Sequence, residues 1–348
     1  MLARLAAHEI SLLPGLEGRE DIRHDQMTRS QLGLLIGAGF SKWAADLPVA
    51  NGLFDFNIEP FGPREVRNLE IVRREKLHWD LSNPGGYPEQ FIEHILASPD
   101  ERGRKAVLWY IVRRLSEPHI WAEWGSGKYR RHVLMIDEDR KFDRPGVREA
   151  QAFLHRLVSQ LSGIVTTNYD LLIEYALGTK LFNYGLHGEI LTGRGPYPVS
   201  QWKNPVSLKG AIPLAKVHGS ISWDAVGRYT DGRRGLSGKA LIVAPTPEKT
   251  PPDQLRREWL LAASVLQDSS RLLVFGFGFN PYDEAILCHL RANGRRIRDV
   301  MLVDTSPKPD LAKQVWPDSL VSSAPPPPDG TAEIDAWLRN RRRGRRPA

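Results

Sequence analysis

The sequence LGLLIGAGFS at residues 32–41 decides the fold of this chain. It opens with a continuous apolar run, Leu32–Ile36, which stops at a glycine pair. Continuous apolar strands suit a sheet that is buried on both faces, and such sheets are parallel. The glycine pair is typical of a turn whose backbone N–H groups approach a pyrophosphate closely. A strand-to-helix turn needs glycine in any case, and the third glycine of the dinucleotide fingerprint is absent because residue 42 is lysine.

Further strand patterns follow, and helical patterns separate several of them. The expected strands cover residues 163–167, 214–217, 240–244, 271–275 and 300–303. The expected helices cover residues 255–266 and 283–291, and a third ends at residue 177. Strands that alternate with helices indicate an α/β protein, with a Rossmann-like, doubly wound parallel sheet.

The stretch from about residue 60 to residue 160 has helical rather than strand periodicity. Apolar residues between Val107 and Leu115 and between Val147 and Leu161 form stripes at helical spacing. We expect a helical insertion or lid here, within a domain that spans residues 31–305.

Two terminal segments flank this predicted domain. Residues 1–30 are expected to be an N-terminal extension without the features of a signal peptide. Residues 306–348 are expected to form a linker at the proline run 325–328, a short helix at 331–338, and an arginine-rich tail.

Composition narrows the class of protein. The chain has 348 residues, of which 41% are hydrophobic and 26% charged, which excludes a mainly disordered protein. No apolar run reaches the ~18–20 residues that cross a bilayer, so no membrane association is expected. The one cysteine, Cys288, excludes an intrachain disulfide and a four-cysteine zinc site, and it fits a cytoplasmic location.

The net charge of +7 comes from 48 basic and 41 acidic residues, and six of the arginines lie in the last ten residues. The basic character therefore belongs to the tail more than to a nucleic-acid-binding surface. Weak contact of the tail with nucleic acid stays open.

Polar residues follow several of the predicted strands. The open end of such a sheet binds ligands, which makes these residues candidates for a site. Asn168 and Asp170 offer hydrogen-bonding groups, although either one also suits a helix cap. His218 at the end of its strand can act as a base near neutral pH. Asp304 can accept a ribose hydroxyl or cap a turn.

Four motifs, taken in order, resemble the sirtuin-like (Sir2-like) domain family. They are GAGFS at 37–41, TTNYD at 166–170, KVHGS at 216–220 and FGFGFNPYDEAI at 275–286. The resemblance spans roughly residues 30–305. The structural zinc of the protein deacylases needs four cysteines, and this chain has one. The resemblance therefore points to the bacterial anti-phage branch. That branch hydrolyses NAD to ADP-ribose and nicotinamide and starves the infected cell.

The resemblance implies roles for particular residues. Asn168 resembles the residue that orients the ribose and a water, and His218 resembles the family base. The implied cofactor-binding residues are Gly37, Ala38, Gly39 and Ser41 at the pyrophosphate, Asp170 near the nicotinamide, and Gly276 and Asp304 on the adenosine side, together with Thr167. The chain departs from the family at Gly276-Phe277-Gly278, where the deacylases carry a hydroxyl.

NAD is thus expected as the substrate, with no metal. The resemblance also implies a homo-oligomer and a separate activating protein, such as a HerA-like ATPase or a short Argonaute. Two alternatives stay open. One is a module that binds NAD or ADP-ribose without catalysis, and the other is a zinc-free deacylase or ADP-ribosyltransferase.

Overall fold

The computed structural model describes residues 32–60, 62–116, 121–124, 131–134, 145–177, 181–184, 211–224, 240–243 and 253–340. Its strands are β1 (Leu32–Ile36), β2 (Trp121–Trp124), β3 (Arg131–Leu134), β4 (Leu161–Thr166), β5 (Phe182–Asn183), β6 (Ile212–Lys216), β7 (Gly219–Asp224), β8 (Ala240–Ile242), β9 (Arg271–Phe275), β10 (Asp299–Val303) and β11 (Leu320–Ala324). Its helices are α1 (Ala38–Ala45), α2 (Pro63–Ser82), α3 (Pro88–Ala97), α4 (Glu101–Leu115), α5 (Pro145–Leu157), α6 (Leu172–Leu177), α7 (Arg256–Gln267), α8 (Glu284–Asn293), α9 (Pro309–Val315) and α10 (Thr331–Arg339).

Within these residues, seven strands form one parallel sheet in the order β11-β10-β9-β1-β4-β6-β5. Apart from the short edge strand β5, this is the 3-2-1-4-5-6 order of doubly wound dinucleotide-binding folds. The predicted fold class is therefore confirmed. The point where the strand order reverses lies between β1 and β9, at the glycine pair of the opening motif.

Strand β1 occupies the centre of the sheet. All five of its residues are buried, and because successive side chains point to opposite faces, both faces are covered. Helices α1, α5 and α6 pack against one another, and α7, α8 and α9 form a second group. Phe275 at the end of β9 packs edge-to-face on Phe40 and Phe153, with ring centroids 5.1 and 5.4 Å away.

The helical insertion is shorter than the sequence pattern suggests. Helices α2, α3 and α4 form a second apolar core, which also takes up Leu171, Ile221, Ala240 and Ile242. Helix α5 instead buries Phe153, Leu154 and Leu157 in the main core, and the β2–β3 hairpin lies before it. The expected helical insertion from about 60 to 160 was thus wrong in its second half.

Strand β8 also differs from its prediction. It pairs antiparallel with β7 rather than joining the large sheet. Its Ala240 and Ile242 side chains pack on the insertion, whereas Leu241 packs in the main core. Among the described helices, none is both long enough and apolar enough to span a membrane.

The sheet continues past residue 305, which corrects the predicted boundary there. Strand β11 pairs with β10, and α10 buries Ile334, Trp337 and Leu338 in the main core. The proline run forms a turn rather than an extended linker, and its Pro327 carbonyl accepts a hydrogen bond from Trp43 Nε1 at 2.7 Å. The predicted helix at 331–338 is confirmed as α10. The N-terminal extension and the arginines from 341 onward lie outside the described residues.

Candidate functional site

The sheet brings the predicted site residues to one edge. In the strand register, Ile36 lies beside Thr166 on one side and beside Phe275 on the other. Phe275 in turn lies beside Val303, and Thr166 beside Lys216. Since parallel strands end at the same edge, the loops after β1, β4, β6, β9 and β10 all start there.

Asn168 is the centre of a buried hydrogen-bond network. Its Nδ2 donates to the Gly37 carbonyl at 3.0 Å and to Ser41 Oγ at 2.9 Å. Ser41 Oγ donates to Asp170 Oδ2 at 2.8 Å, so Ser41 can only accept from Asn168. Both donors of the Asn168 amide are therefore used inside the fold. Among the described residues no donor reaches Asn168 Oδ1, which leaves that oxygen for a ligand or water.

Two predicted cofactor-binding residues belong to this network. Asp170 Oδ1 accepts from the Leu172 backbone N–H at 3.0 Å, so Asp170 serves as a cap for α6. Ser41 is 2% exposed and its hydroxyl faces Asp170, so it does not point out of the opening loop as a pyrophosphate ligand would.

Lys216 supports the same loop from the neighbouring strand. Its fully buried Nζ donates to Glu174 Oε1 at 2.8 Å and to the Asp170 carbonyl oxygen. The Tyr184 hydroxyl donates to the same Glu174 oxygen at 2.8 Å. A buried charge is tolerated only when it is paired in this way. Lys216 belongs to the KVHGS motif, but the sequence alone does not show this supporting role.

His218 lies two residues beyond β6 and is 6% exposed. Burial lowers the pKa of its imidazole to about 4, against a smaller opposing effect of a hydrogen bond to the Thr167 backbone. Thr167, the half-buried neighbour of Asn168, is itself held by its N–H to the Ile36 carbonyl at 3.2 Å. At neutral pH His218 is thus an uncharged imidazole that can accept a hydrogen bond or a proton.

Asp283 faces His218 across the site. The distance from His218 Nε2 to Asp283 Oδ1 is 3.8 Å, too long for a hydrogen bond. The side chain of Asp283 makes no capping hydrogen bond to α8, although the residue occupies the N-cap position. Asn280 caps the preceding turn instead, with Oδ1 accepting from Tyr282 N at 3.1 Å. Burial raises the pKa of the Asp283 carboxyl to about 7.

A second carboxyl reaches this region from the insertion. Glu89 on α3 is buried, and its Oε1 accepts from Asn280 Nδ2 at 3.3 Å. Burial raises its pKa, and the nearby Asp283 charge acts in the same direction. Tyr169, whose ring lies 6.2 Å from that of His218, donates its hydroxyl to the Val243 carbonyl at 2.7 Å. No local sequence signal marks Glu89, because its partner Asn280 is 191 residues away.

The glycine-rich loops pack against each other rather than leaving open space. A Cβ on Gly37 would lie 2.5 Å from the Gly276 carbonyl oxygen, and one on Gly39 would lie 2.7 Å from Gly276 Cα. The Gly39 N–H donates to the Gly276 carbonyl at 2.9 Å. These glycines are therefore required by contact between two loops. Ala38 is exposed at the first position of α1.

A cavity of about 230 Å³ lies at the ends of β9 and β10. Gly276 and Asp304, the two residues predicted for the adenosine side, both line it together with Phe279 and Lys308. Asp304 Oδ1 also accepts from the Ser306 backbone N–H at 2.8 Å, so its turn-capping interpretation holds as well. In the part of the chain that the structure describes, no three His, Cys, Asp or Glu side chains cluster as a metal site would need.

Residues 162–320 match the family described as SIR2-like domain. The matched segment runs from β4 to the start of β11 and contains Asn168, His218 and Asp283, whereas the opening loop and the helical insertion precede it. This segment, a little under half of the chain, is therefore similar to SIR2-like domains. A search among curated proteins finds no match.

Solved structures of Sir2 proteins cover most of the chain at low similarity. One described as "Structural Basis for the Mechanism and Regulation of Sir2 Enzymes" has a TM-score of 0.37 at 14% identity, over 89% of this chain and 90% of that one. A Sir2 homologue mutant in complex with ADP-ribose has a TM-score of 0.39 at 14% identity, over 88% and 90%. A Sir2 complex with p53 peptide and NAD+ has 0.37 at 12%, over 92% and 97%.

Proposed function

We propose that this chain is an NAD+ glycohydrolase, which splits NAD+ and water into nicotinamide and ADP-ribose. The observation that carries the proposal is the pair formed by His218 and Asp283 at the sheet edge. A buried uncharged imidazole faces a buried carboxyl, beside the Asn168 loop of a SIR2-like domain. Buried groups with strongly shifted pKa values in a ligand-binding position are typical of active sites.

The chemistry requires little covalent participation from the protein. Cleavage of the bond between ribose and nicotinamide passes through an oxocarbenium-like centre, as glycoside hydrolysis does. His218 in its neutral form can accept a hydrogen bond, and then a proton, from the attacking water. Asn168 Oδ1 can accept a hydrogen bond from the same water or from a ribose hydroxyl. Burial of both side chains keeps bulk water from competing.

The cavity between β9 and β10 suits the other end of the substrate. It lies one strand away from the reversal between β1 and β9, near the point where doubly wound folds hold dinucleotides. Asp304 lines it with a carboxylate, which accepts hydrogen bonds from ribose hydroxyls in such folds. The hydroxyl that the deacylases place in this turn is absent at Gly276-Phe277-Gly278, so the backbone of the turn must supply its polar contacts.

The proposal extends to biological role through the resemblance of the motifs. We place the chain among toxic effectors of anti-phage defence that deplete NAD+. Such an enzyme must stay inactive until triggered, so oligomerisation and a separate activating protein, a HerA-like ATPase or a short Argonaute, belong to the proposal.

The activity is tested with purified protein and NAD+, with the products separated by liquid chromatography. Nicotinamide and ADP-ribose should form in equal amounts, and no acylated peptide should be needed. The same measurement is made on NAD+ extracted from cells that express the chain, where an activating partner can act. If NAD+ stays intact in both assays but binds to the protein, the chain is a binding module and not a hydrolase.

One observation favours that binding module. Both amide donors of Asn168 are already used by Gly37 and Ser41, and Ser41 is turned inward. An asparagine with this arrangement can be wholly structural. Calorimetry with ADP-ribose, combined with the product assay, distinguishes a protein that only binds from one that turns over.

A further inference from the structure

The carboxyl of Asp283 has an unusual position for a buried group. Its Oδ1 has no hydrogen-bond partner among the described residues, and its side chain is only 13% exposed. A buried carboxylate without a partner is costly, so its retention calls for a reason other than stability. Among the described residues, its ion-pair partner is His218, whose Nε2 lies 3.8 Å away.

The groups around Asp283 do not supply a hydrogen bond to its Oδ1 or a positive charge for its carboxylate. Glu89 from α3 is another carboxyl, and one of its own oxygens, Oε2, also has no partner among the described residues. The Tyr169 hydroxyl donates to the Val243 carbonyl. Within the described chain no lysine or arginine forms an ion pair with Asp283. His218 is therefore the group with which Asp283 can exchange a proton.

We propose that Asp283 acts through His218 as the group that finally holds the proton released when NAD+ is hydrolysed. This inference rests on the proposed function. In the balanced step, water oxygen forms a bond to the ribose carbon, and the bond from that carbon to nicotinamide breaks. The bonding pair leaves with nicotinamide, which becomes neutral. His218 Nε2 takes up the proton lost by the water. The ring then moves from its resting distance of 3.8 Å to hydrogen-bond distance of Asp283 Oδ1 and passes the proton to that oxygen, from which it exchanges with solvent.

The order of basicity favours this direction of transfer. Burial lowers the pKa of His218 to about 4 and raises that of Asp283 to about 7, so at neutral pH the carboxylate is the stronger base. A base matches its task best when its pKa lies near the working pH. The assignment of His218 as the lone base therefore gives way to a pair in which His218 transfers the proton and Asp283 holds it.

The variant that tests the pair is Asp283→Asn, whose neutral amide keeps the shape of the protonated acid. We expect kcat for nicotinamide release to fall by about 10²–10⁴-fold, while KM for NAD+ changes little. In the wild type, kcat/KM should rise with pH through an inflection near the Asp283 pKa of about 7, and this inflection should vanish in the variant. Glu284→Gln is the matched control, since that neighbouring carboxyl faces Arg291 at 3.3 Å. An unchanged rate and pH profile in Asp283→Asn would overturn the proposal.

A second measurement does not depend on turnover and separates this inference from the proposed function. Imidazole signals of His218 are followed by NMR across the pH range, and they are identified by their loss in His218→Gln. In the wild type they should shift near pH 7 as Asp283 ionises, without protonation of the ring, and Asp283→Asn should remove the shift. A wild type that lacks this shift refutes the pairing. A wild type that shows it but releases no nicotinamide refutes only the hydrolase.

Discussion

Two regions of the same sheet edge contrast sharply. Where the loops after β1 and β9 meet, Gly37, Gly39 and Gly276 fill the space with their own backbones and exchange a hydrogen bond at 2.9 Å. Across the edge, His218 and Asp283 face each other at 3.8 Å, with a buried carboxyl oxygen left unpartnered among the described residues.

The difference separates structural from chemical reasons for a motif. Contact between the two loops requires glycine at these positions. The polar pair is not satisfied by the fold, and a buried polar group without a partner needs another explanation. At this edge, the polar pair is therefore the feature that packing alone does not explain.

The largest effect is expected from Gly276→Ala. Gly276 has φ +63°, and a Cβ there would lie 2.3 Å from Phe40 N and 2.5 Å from Gly39 Cα, all of them backbone atoms that cannot move aside. We expect a loss of about 4 kcal/mol or more in the free energy of unfolding, or no folded protein. Gly278→Ala is the control, because nothing lies within 4 Å of its Cβ. Equal melting temperatures for the two variants would show that the loops do not pack as described.

The next largest effect concerns activity rather than stability. His218→Ala should reduce nicotinamide release by roughly 10²–10⁴-fold, because it removes the group that accepts the proton. His289→Ala is a matched control, since burial lowers the pKa of His289 to about 4 as well, but its ring packs on Trp259 at 4.9 Å. If both variants lose activity in proportion to their melting temperatures, His218 is a structural residue.

The sequence predicts the framework of this edge well. Strands such as β1 and β9 follow directly from apolar runs bounded by glycine, and Asn168, His218 and Asp304 can be placed at strand ends because parallel strands finish together. Residues 271–275 were predicted as a strand with the bounds that the structure gives to β9.

The partnerships within the site could not be predicted. They depend on tertiary contacts between distant segments, such as Glu89 with Asn280, for which a single sequence has no local signal. The role of Asp283 was missed for another reason, since an aspartate before a helix suits an N-cap, and only burial and geometry show that it does not cap. The terminal strand β11 was missed because four of its five residues remain partly or fully exposed, which gives no apolar run.

A smaller effect on stability tests whether Asn168 belongs to the network or to a helix cap. As a cap, asparagine and aspartate are nearly equivalent. In the network, Asn168→Asp would place a carboxylate against the Gly37 carbonyl, and it would also face Ser41 Oγ, whose proton goes to Asp170. We therefore expect Asn168→Ala to cost about 1–3 kcal/mol and Asn168→Asp to cost more. Chemical denaturation of both variants gives the ranking, and an aspartate variant as stable as the wild type would contradict the network.

The smallest effect is expected in the pH dependence of the wild type's free energy of unfolding, because the contributions of His218 and Asp283 cancel there. The pKa of His218 falls from 6.5 to about 4 on folding, so its contribution is present above pH 6.5 and is lost as the pH falls toward 4. The pKa of Asp283 rises from 3.8 to about 7, so its contribution to the free energy of unfolding is present below pH 3.8 and is lost as the pH rises toward 7.

From about pH 4 to 6.5 the pH dependences that these two groups give to stability oppose each other. Asp283→Asn should therefore lose stability relative to the wild type as the pH falls through this window, and His218→Gln as it rises, each by roughly 1 kcal/mol per pH unit. His289 contributes the same slope to all three proteins, so it drops out of the differences. Denaturant unfolding at several pH values provides the measurement, and variant curves parallel to the wild-type curve would show that neither group is buried as the structure places it.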